Sequence, residues 1–272
     1  MNVYEEVASF YERYQGAKRI IGRSREGRNL YAFHIGSMQG PQCISQYAIH
    51  GREWITGLIA LYHVRRSVVC GGVWVLPLIN PDGALLSEIG LCIAPKERQK
   101  ALLEINKDDN FSLWKANINA VDLNVNFDAR WGMGAWNLKH PAGENYIGPA
   151  PFSEPETRAL RDFTLEILPN FTVSWHTKGE EIYWEFHQPL RRRVRDKLLA
   201  QVLSQSTGYP LKSVKNSVGG YKDWCIEKLK IPAFTVEVGS DLLAHPIGRA
   251  SLPALLRRTL DALADLMNAS QK

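Results

Sequence analysis

No apolar run in these 272 residues approaches the roughly 18 to 20 that a membrane span requires. The N-terminal stretch MNVYEEVASFYERYQGAKR also lacks the apolar core of a secretion signal, carrying Glu5 and Glu6 instead, and it reads as an amphipathic helix. These two absences predict a cytoplasmic protein without membrane contact. The cysteines are few, and Cys43, Cys70, Cys92 and Cys225 form no CxxC pair. That excludes the common thiolate metal and redox motifs and leaves free thiols beside apolar runs. The net charge of +5 comes partly from LRRRVRDK at 190–197 and LRRTL at 256–260. Neither segment has interleaved aromatics or a binding motif, so both are assigned to solvated helix faces and no nucleic-acid partner is expected. With no repeat, low-complexity tract or linker, residues 1–272 are expected to form one domain.

Strand-like and helix-like segments alternate along the chain. Strands are expected at NLYAFHIGS, CISQYAIH, GVWVLPLINPDG, FTVSWHT, EEIYWEF and PAFTVEVGS, and helices at ITGLIALYHVRRSV, SEPETRALRDFTLEIL, QPLRRRVRDKLLAQVLSQ and SLPALLRRTLDALADLMNAS. Ser153 and Glu156 have capping-box spacing, with Pro155 in the first turn. Residues 84–120 are the least regular and suggest a long excursion or a short helix with loops. Alternation of this kind predicts a single-domain three-layer α/β/α fold with a mixed, mainly parallel central sheet, whose strand C-termini share one crevice.

Three strand ends carry ionisable groups: His50 with Glu53 in QYAIHGREWITG, His176 in FTVSWHT, and Glu237 in FTVEVGS. Two imidazoles and one carboxylate form a recognised catalytic zinc set, the one used by carboxypeptidase A, with a coordination position left for water. An HxxE pair or a lone strand-end histidine is weak by itself. Three such ends together favour chemistry over a purely structural role.

The motifs HGREW (50–54), NPDG (80–83), LWK (113–115), VDLNVNFDARWG (121–132), FSEPETRAL (152–160), SWHT (174–177), GGYKDW (219–224) and FTVEVG (234–239) resemble the zinc carboxypeptidase family, in order and over most of the chain. The WKAN followed by VDLN is most similar to the bacterial γ-D-glutamyl-diaminopimelate peptidases that cut murein peptides. The resemblance implies one zinc per chain on His50, Glu53 and His176, with Glu237 as general base and Lys115 as the oxyanion-stabilising cation. It implies substrate contacts at Asn124 for a terminal carboxylate, at Arg52, and at Lys222 on the floor of the pocket for the released residue. A lone lysine there favours an acidic side chain.

Two departures from the family pattern matter. Val125 stands where the family has an arginine, and Arg130 is the candidate replacement. The family's mobile tyrosine is missing, and Tyr221 lies late for that role. Asp82 is a candidate acceptor for a metal-bound histidine or a turn cap. Trp54, Trp114, Trp131 and Trp175 read as packing, with Trp114 also suited to stacking. The resemblance thus implies a peptidase acting on a small murein-derived peptide, against a deacylase acting on N-acyl amino acids, whose branch lacks the WKAN and VDLN pattern, or a non-catalytic binding relative. It says nothing of oligomeric state.

Overall fold

A computed structural model describes residues 1–66, 70–214 and 216–270 of the chain. Its strands are β1 Lys18–Arg23, β2 Asn29–Gly36, β3 Gln42–Tyr47, β4 Gly72–Leu76, β5 Phe171–His176, β6 Glu181–Tyr183, β7 Leu211–Lys212 and β8 Ala233–Glu237. They form one sheet in the order β1-β2-β4-β3-β5-β8-β6-β7. The central pairs β4/β3, β3/β5 and β5/β8 are parallel, while β1/β2, β2/β4 and β6/β8 are antiparallel. The helices are α1 Val3–Arg13, α2 Ile55–His63, α3 Pro81–Ile89, α4 Lys96–Asn106, α5 Pro155–Ile167, α6 Leu190–Thr207, α7 Tyr221–Trp224, α8 Leu252–Thr259 and α9 Ala262–Ala269. The three-layer, mainly parallel fold expected from the alternating pattern is the one observed.

The period of two along the strands builds both faces. On one face Cys43, Tyr47, Val73, Val75, Val173 and Val236 pack against α1, α2, α6, α8 and α9. On the other, Ile44, Trp74 and Leu76 meet Leu160 and Phe163 of α5 and Tyr221 and Trp224 of α7. Every residue of β4 and β5 is buried, as doubly covered parallel strands require. A third cluster, including Leu86, Leu102, Phe111 and Trp114, lies under the irregular excursion. At about 1.5–3 kcal/mol for each large apolar side chain removed from water, this cluster is enough to fix loops that no sheet supports.

Several local expectations change. Ser153 and Glu156 do not form a capping box: Ser153 Oγ donates to Glu154 (2.8 Å) and accepts from Asn126 Nδ2 (3.0 Å), while Glu156 accepts the Arg25 amide (3.0 Å). Glu154 occupies the cap position, and Pro155 opens the helix as its fixed φ allows. NPDG opens α3, with Asn80 as its cap, because Asn80 Oδ1 accepts from Gly83 N at 2.9 Å. Asp82 reaches no metal-site histidine; it accepts from Ser24 (2.9 Å) and Arg28 (2.6 Å) and ties the β1/β2 hairpin to α3. The C-terminal helix is two helices, since the Thr259 carbonyl pairs with His63 Nε2 at 3.0 Å instead of extending the helical ladder. Edge strands β1 and β7, with their partly exposed polar residues, carry no clear sequence signal. The expected end of the helix at ITGLIALYHVRRSV, Ser67 and Val68, lies outside the described residues, as does Lys215. Among the described residues no helix is long and apolar enough to cross a membrane.

Candidate functional site

The chain leaves β3 for β4 on one side, while β5 pairs with β3 on the other. The C-terminal ends of β3 and β5 therefore flank a point where the chain order reverses, the place where open α/β sheets hold ligands. His50 follows β3, His176 ends β5, and Glu237 ends β8 opposite His176 in register. Beyond His50 the chain makes one 3₁₀ turn, Gly51–Glu53, which brings Glu53 back toward the histidine. Position 51 admits only glycine, because a Cβ there would stand 2.5 Å from the Gly83 carbonyl oxygen.

Three ligating side chains converge. His50 Nδ1 lies 2.9 Å from Glu53 Oε1, His176 Nδ1 lies 3.0 Å from Glu53 Oε2, and the two Nδ1 atoms are 3.1 Å apart. All three residues are buried. Each Nδ1 carries at most one proton, so two such nitrogens facing each other beside a carboxylate cannot satisfy all three contacts. A cation among them resolves that conflict, since Zn–N distances of about 2.0–2.1 Å in a tetrahedron put ligand atoms roughly 3.3 Å apart. The donor set fits zinc.

Asp122, not singled out by sequence, supports the group. Its buried carboxylate lies 3.4 Å from His50 Nε2 and 3.0 Å from Lys115 Nζ, and it accepts the amides of Asn124 and Asn145 at 3.0 Å each. At 3.4 Å the carboxylate faces Nε2 without a formed hydrogen bond, on the far side of the ring from the Nδ1 that meets Glu53 and His176, the place where ligating histidines usually have an acceptor. Burial opposes ionisation of Asp122, but Lys115 and His50 outweigh it and hold the carboxyl well below the usual carboxylate range. Burial likewise opposes the Lys115 cation, and Asp122 reverses this and raises its pKa. Glu53 is depressed well below its ordinary range by His50 and His176 despite its burial. Glu237 goes the other way: enclosure, helped by Glu53 and opposed by His176, pushes it up to about 8 in the metal-free chain.

A cavity of about 230 Å³ opens onto these groups and is lined by His50, Lys115, His176 and Glu237, with Asn124, Tyr183, Lys222 and Asp223. Asn124 Oδ1 accepts the Tyr221 amide at 3.2 Å, which leaves its NH2 for a ligand. Lys222 lines the cavity, but it does not stand alone: Asp223 Oδ1 is 2.5 Å from its ammonium. Sequence reading missed Asp223, although it adjoins Lys222, and Tyr183, whose hydroxyl bonds Glu181.

Three expected substrate contacts fall elsewhere. Tyr221 is fully buried in the core and bonds Thr164 Oγ1 at 2.9 Å, because the left-handed Gly219 (φ 86°) turns the chain so that the first residue of α7 faces the sheet. Arg130 pairs with Glu227 (3.2 Å) and lines an adjoining cavity of about 570 Å³, away from Asn124. Arg52 faces Glu144 at 3.5 Å outside the cavity lining. Trp54, Trp114 and Trp175 are buried packing residues, and half-buried Trp131 donates to the Ile147 carbonyl.

The sequence profile described as zinc carboxypeptidase matches residues 71–245. Gamma-D-glutamyl-L-diamino acid endopeptidase 1 of Lysinibacillus sphaericus is 32% identical over 268 residues, covering 91% of this chain and 66% of the relative. The chain spans less than two thirds of the length of that protein. The structure of bovine thrombin-activatable fibrinolysis inhibitor in complex with tick carboxypeptidase inhibitor matches with a TM-score of 0.78 at 20% identity, over 99% of this chain and 96% of that one. The murein-tripeptide amidase of Escherichia coli O157 matches with a TM-score of 0.63 at 24% identity, over 93% and 92%. These two likenesses establish the fold.

Proposed function

The chain belongs to the zinc carboxypeptidase family, a family of zinc metallopeptidases, and from that premise we propose that it hydrolyses the γ-D-glutamyl-diaminopimelate amide of small murein-derived peptides. The observation that carries the proposal is the convergence of His50, Glu53 and His176 beside Glu237 on one cavity at the sheet's switch point. The named activity of the Lysinibacillus relative supports the substrate class.

His50, Glu53 and His176 hold the metal, and Asp122 fixes the His50 ring. Zinc held there supplies Lewis acidity toward the scissile carbonyl and lowers the pKa of water toward about 7. Glu237 accepts the proton of the attacking water and returns it to the leaving amine, a transfer worth about 10²–10⁴-fold. Lys115, positioned by Asp122, stands as the cation for the developing oxyanion, where loss of one such donor typically costs about 3–4 kcal/mol. Asn124 offers its amide to the backbone beyond the cleaved bond. Val125 supplies no second cation, and Arg130 is engaged with Glu227. That combination suits a substrate whose chain continues past the cut.

The test is a zinc determination together with assays on a γ-D-glutamyl-diaminopimelate peptide and on N-acyl amino acids. About one zinc per chain and cleavage of the γ-glutamyl peptide are expected. Preference for N-acyl amino acids would establish the deacylase alternative instead.

A further inference from the structure

Helix α6 is apolar on two sides. Inward, Asp196, Ala200, Leu203 and Thr207 are buried, with Ala200 and Leu203 in the core. Outward, Leu190, Val194 and Leu198 follow one another a helical turn apart and stand 76%, 55% and 61% exposed. Exposed apolar side chains scattered singly are ordinary, but a contiguous row marks a surface that meets something. At about 100° per residue the three lie within an arc of roughly 80°. Arg191 falls about 20° past one end of that arc and Lys197 about 20° past the other. The helix carries Arg191, Arg192, Arg193, Arg195 and Lys197 against a single acid, the buried Asp196. Among the described residues its ion pairs are Arg193 with Glu185 (2.8 Å) and Arg195 with Asp196 (2.7 Å), which leaves Arg191 and Lys197 without an acidic partner. The two cations that border the apolar row are therefore unpaired.

We propose that α6 seats the protein on an anionic lipid bilayer, with Leu190, Val194 and Leu198 below the headgroups and Arg191 and Lys197 against lipid phosphates. An apolar row between cationic borders is the cross-section of a helix that lies in the plane of the interface. Such a helix needs no apolar span. The expectation of a chain without membrane contact, drawn from the lack of a span, is thereby replaced. Charge selects this occupant over others. A second copy of the chain would set cationic borders against cationic borders, with no acid on the outward face to receive them. A nucleic acid would bring phosphates to the apolar middle, where cations are needed. Anionic lipid supplies acyl chains for the row and phosphate for its borders. Leu190, Val194 and Leu198 line neither the metal-site cavity nor the adjoining one, so seating through them leaves both open.

The experiment is co-sedimentation of the full chain with vesicles of phosphatidylcholine alone and of equal parts phosphatidylglycerol and phosphatidylcholine. The mixed vesicles are expected to bind about 10–30-fold more tightly, the margin that two cations near an anionic surface provide. Added salt should shrink that margin. Replacing the row with Leu190→Ser, Val194→Ser and Leu198→Ser together should weaken binding to mixed vesicles by about tenfold or more, with the melting temperature and metal content unchanged. Arg191→Gln with Lys197→Gln should keep the weak binding to neutral vesicles and lose the preference for anionic ones. No binding to the mixed vesicles overturns the proposal. Binding that survives the triple serine change undiminished also overturns it, because attraction to the basic surface alone would then suffice. A lipid-free dimer that the triple serine change dissociates overturns it in favour of a second copy.

Discussion

Replacing Asp122 with asparagine removes one charge from a group in which Asp122 is fully buried and Lys115 largely enclosed. The asparagine retains the shape but only one acceptor oxygen, so of the Asn124 amide on Oδ1 and the Asn145 amide on Oδ2 one also loses its partner. It leaves the Lys115 ammonium in the wall without its counter-ion at 3.0 Å. Breaking a buried pair by removing one partner costs about 3–5 kcal/mol. At roughly 2–4 °C per kcal/mol for a chain near this size, the melting temperature of the metal-free protein should fall by roughly 6–20 °C. Loss of the acceptor behind His50 should separately weaken zinc binding by about 10–100-fold. Lys115→Met combined with Asp122→Asn should recover part of the stability, since no lone charge remains, but none of the metal affinity. The sign with pH follows from the depressed Asp122 pKa: its contribution is present above the unfolded value near 4 and is lost as pH falls through the lower folded value. The gap between wild type and variant should therefore narrow in acid. Calorimetric melting and competitive zinc titration measure both effects. A variant within about 1 kcal/mol of wild type, with unchanged zinc affinity, would refute the role given to Asp122.

Three further outcomes are expected. His63 is buried between Tyr47 Oη (2.6 Å) and the Thr259 carbonyl (3.0 Å), and burial lowers its pKa to about 4. Protons then favour the unfolded state between roughly pH 6.5 and 4, so about 3 kcal/mol of stability drains away as pH falls through that window, and melting of His63→Gln should show less of this loss. Burial and the charge of Asp82 raise Glu156 to about 8, which gives the opposite slope: stability is fullest below about pH 4.5 and declines as pH rises toward 8. Melting curves of Glu156→Gln at pH 6 and 8.5 should differ less than those of wild type. Tyr221→Phe should cost about 1 kcal/mol through its lost bond to Thr164 and leave kcat/KM unchanged, whereas a large kinetic defect would restore Tyr221 to the substrate site.

The layer order and the central groups were legible because they rest on local pattern. Continuous apolar runs ending in His50, His176 and Glu237 place those residues at strand ends, and parallel pairing brings the ends together. What sequence left hidden depends on partners distant in the chain. Asp122 acquires its role only when Lys115 and His50 pack around it. Ser153 and Glu156 have capping spacing, yet Asn126 and Arg25 draw them away. Tyr221 looks available beside a double glycine until the turn at Gly219 directs it inward. Lys222 was placed in the cavity, but the Asp223 carboxylate 2.5 Å from its ammonium is a partner that spacing alone does not convey.

The most direct measurement is single-turnover cleavage of a γ-D-glutamyl-diaminopimelate peptide by the zinc-loaded chain and by Glu237→Gln, with metal content determined on the same samples. The wild type should cleave the γ-glutamyl amide. The variant should keep about one zinc per chain and lose on the order of 10²–10⁴-fold in rate. Cleavage by Glu237→Gln at the wild-type rate, or no cleavage by the fully loaded wild type, would contradict the assignment.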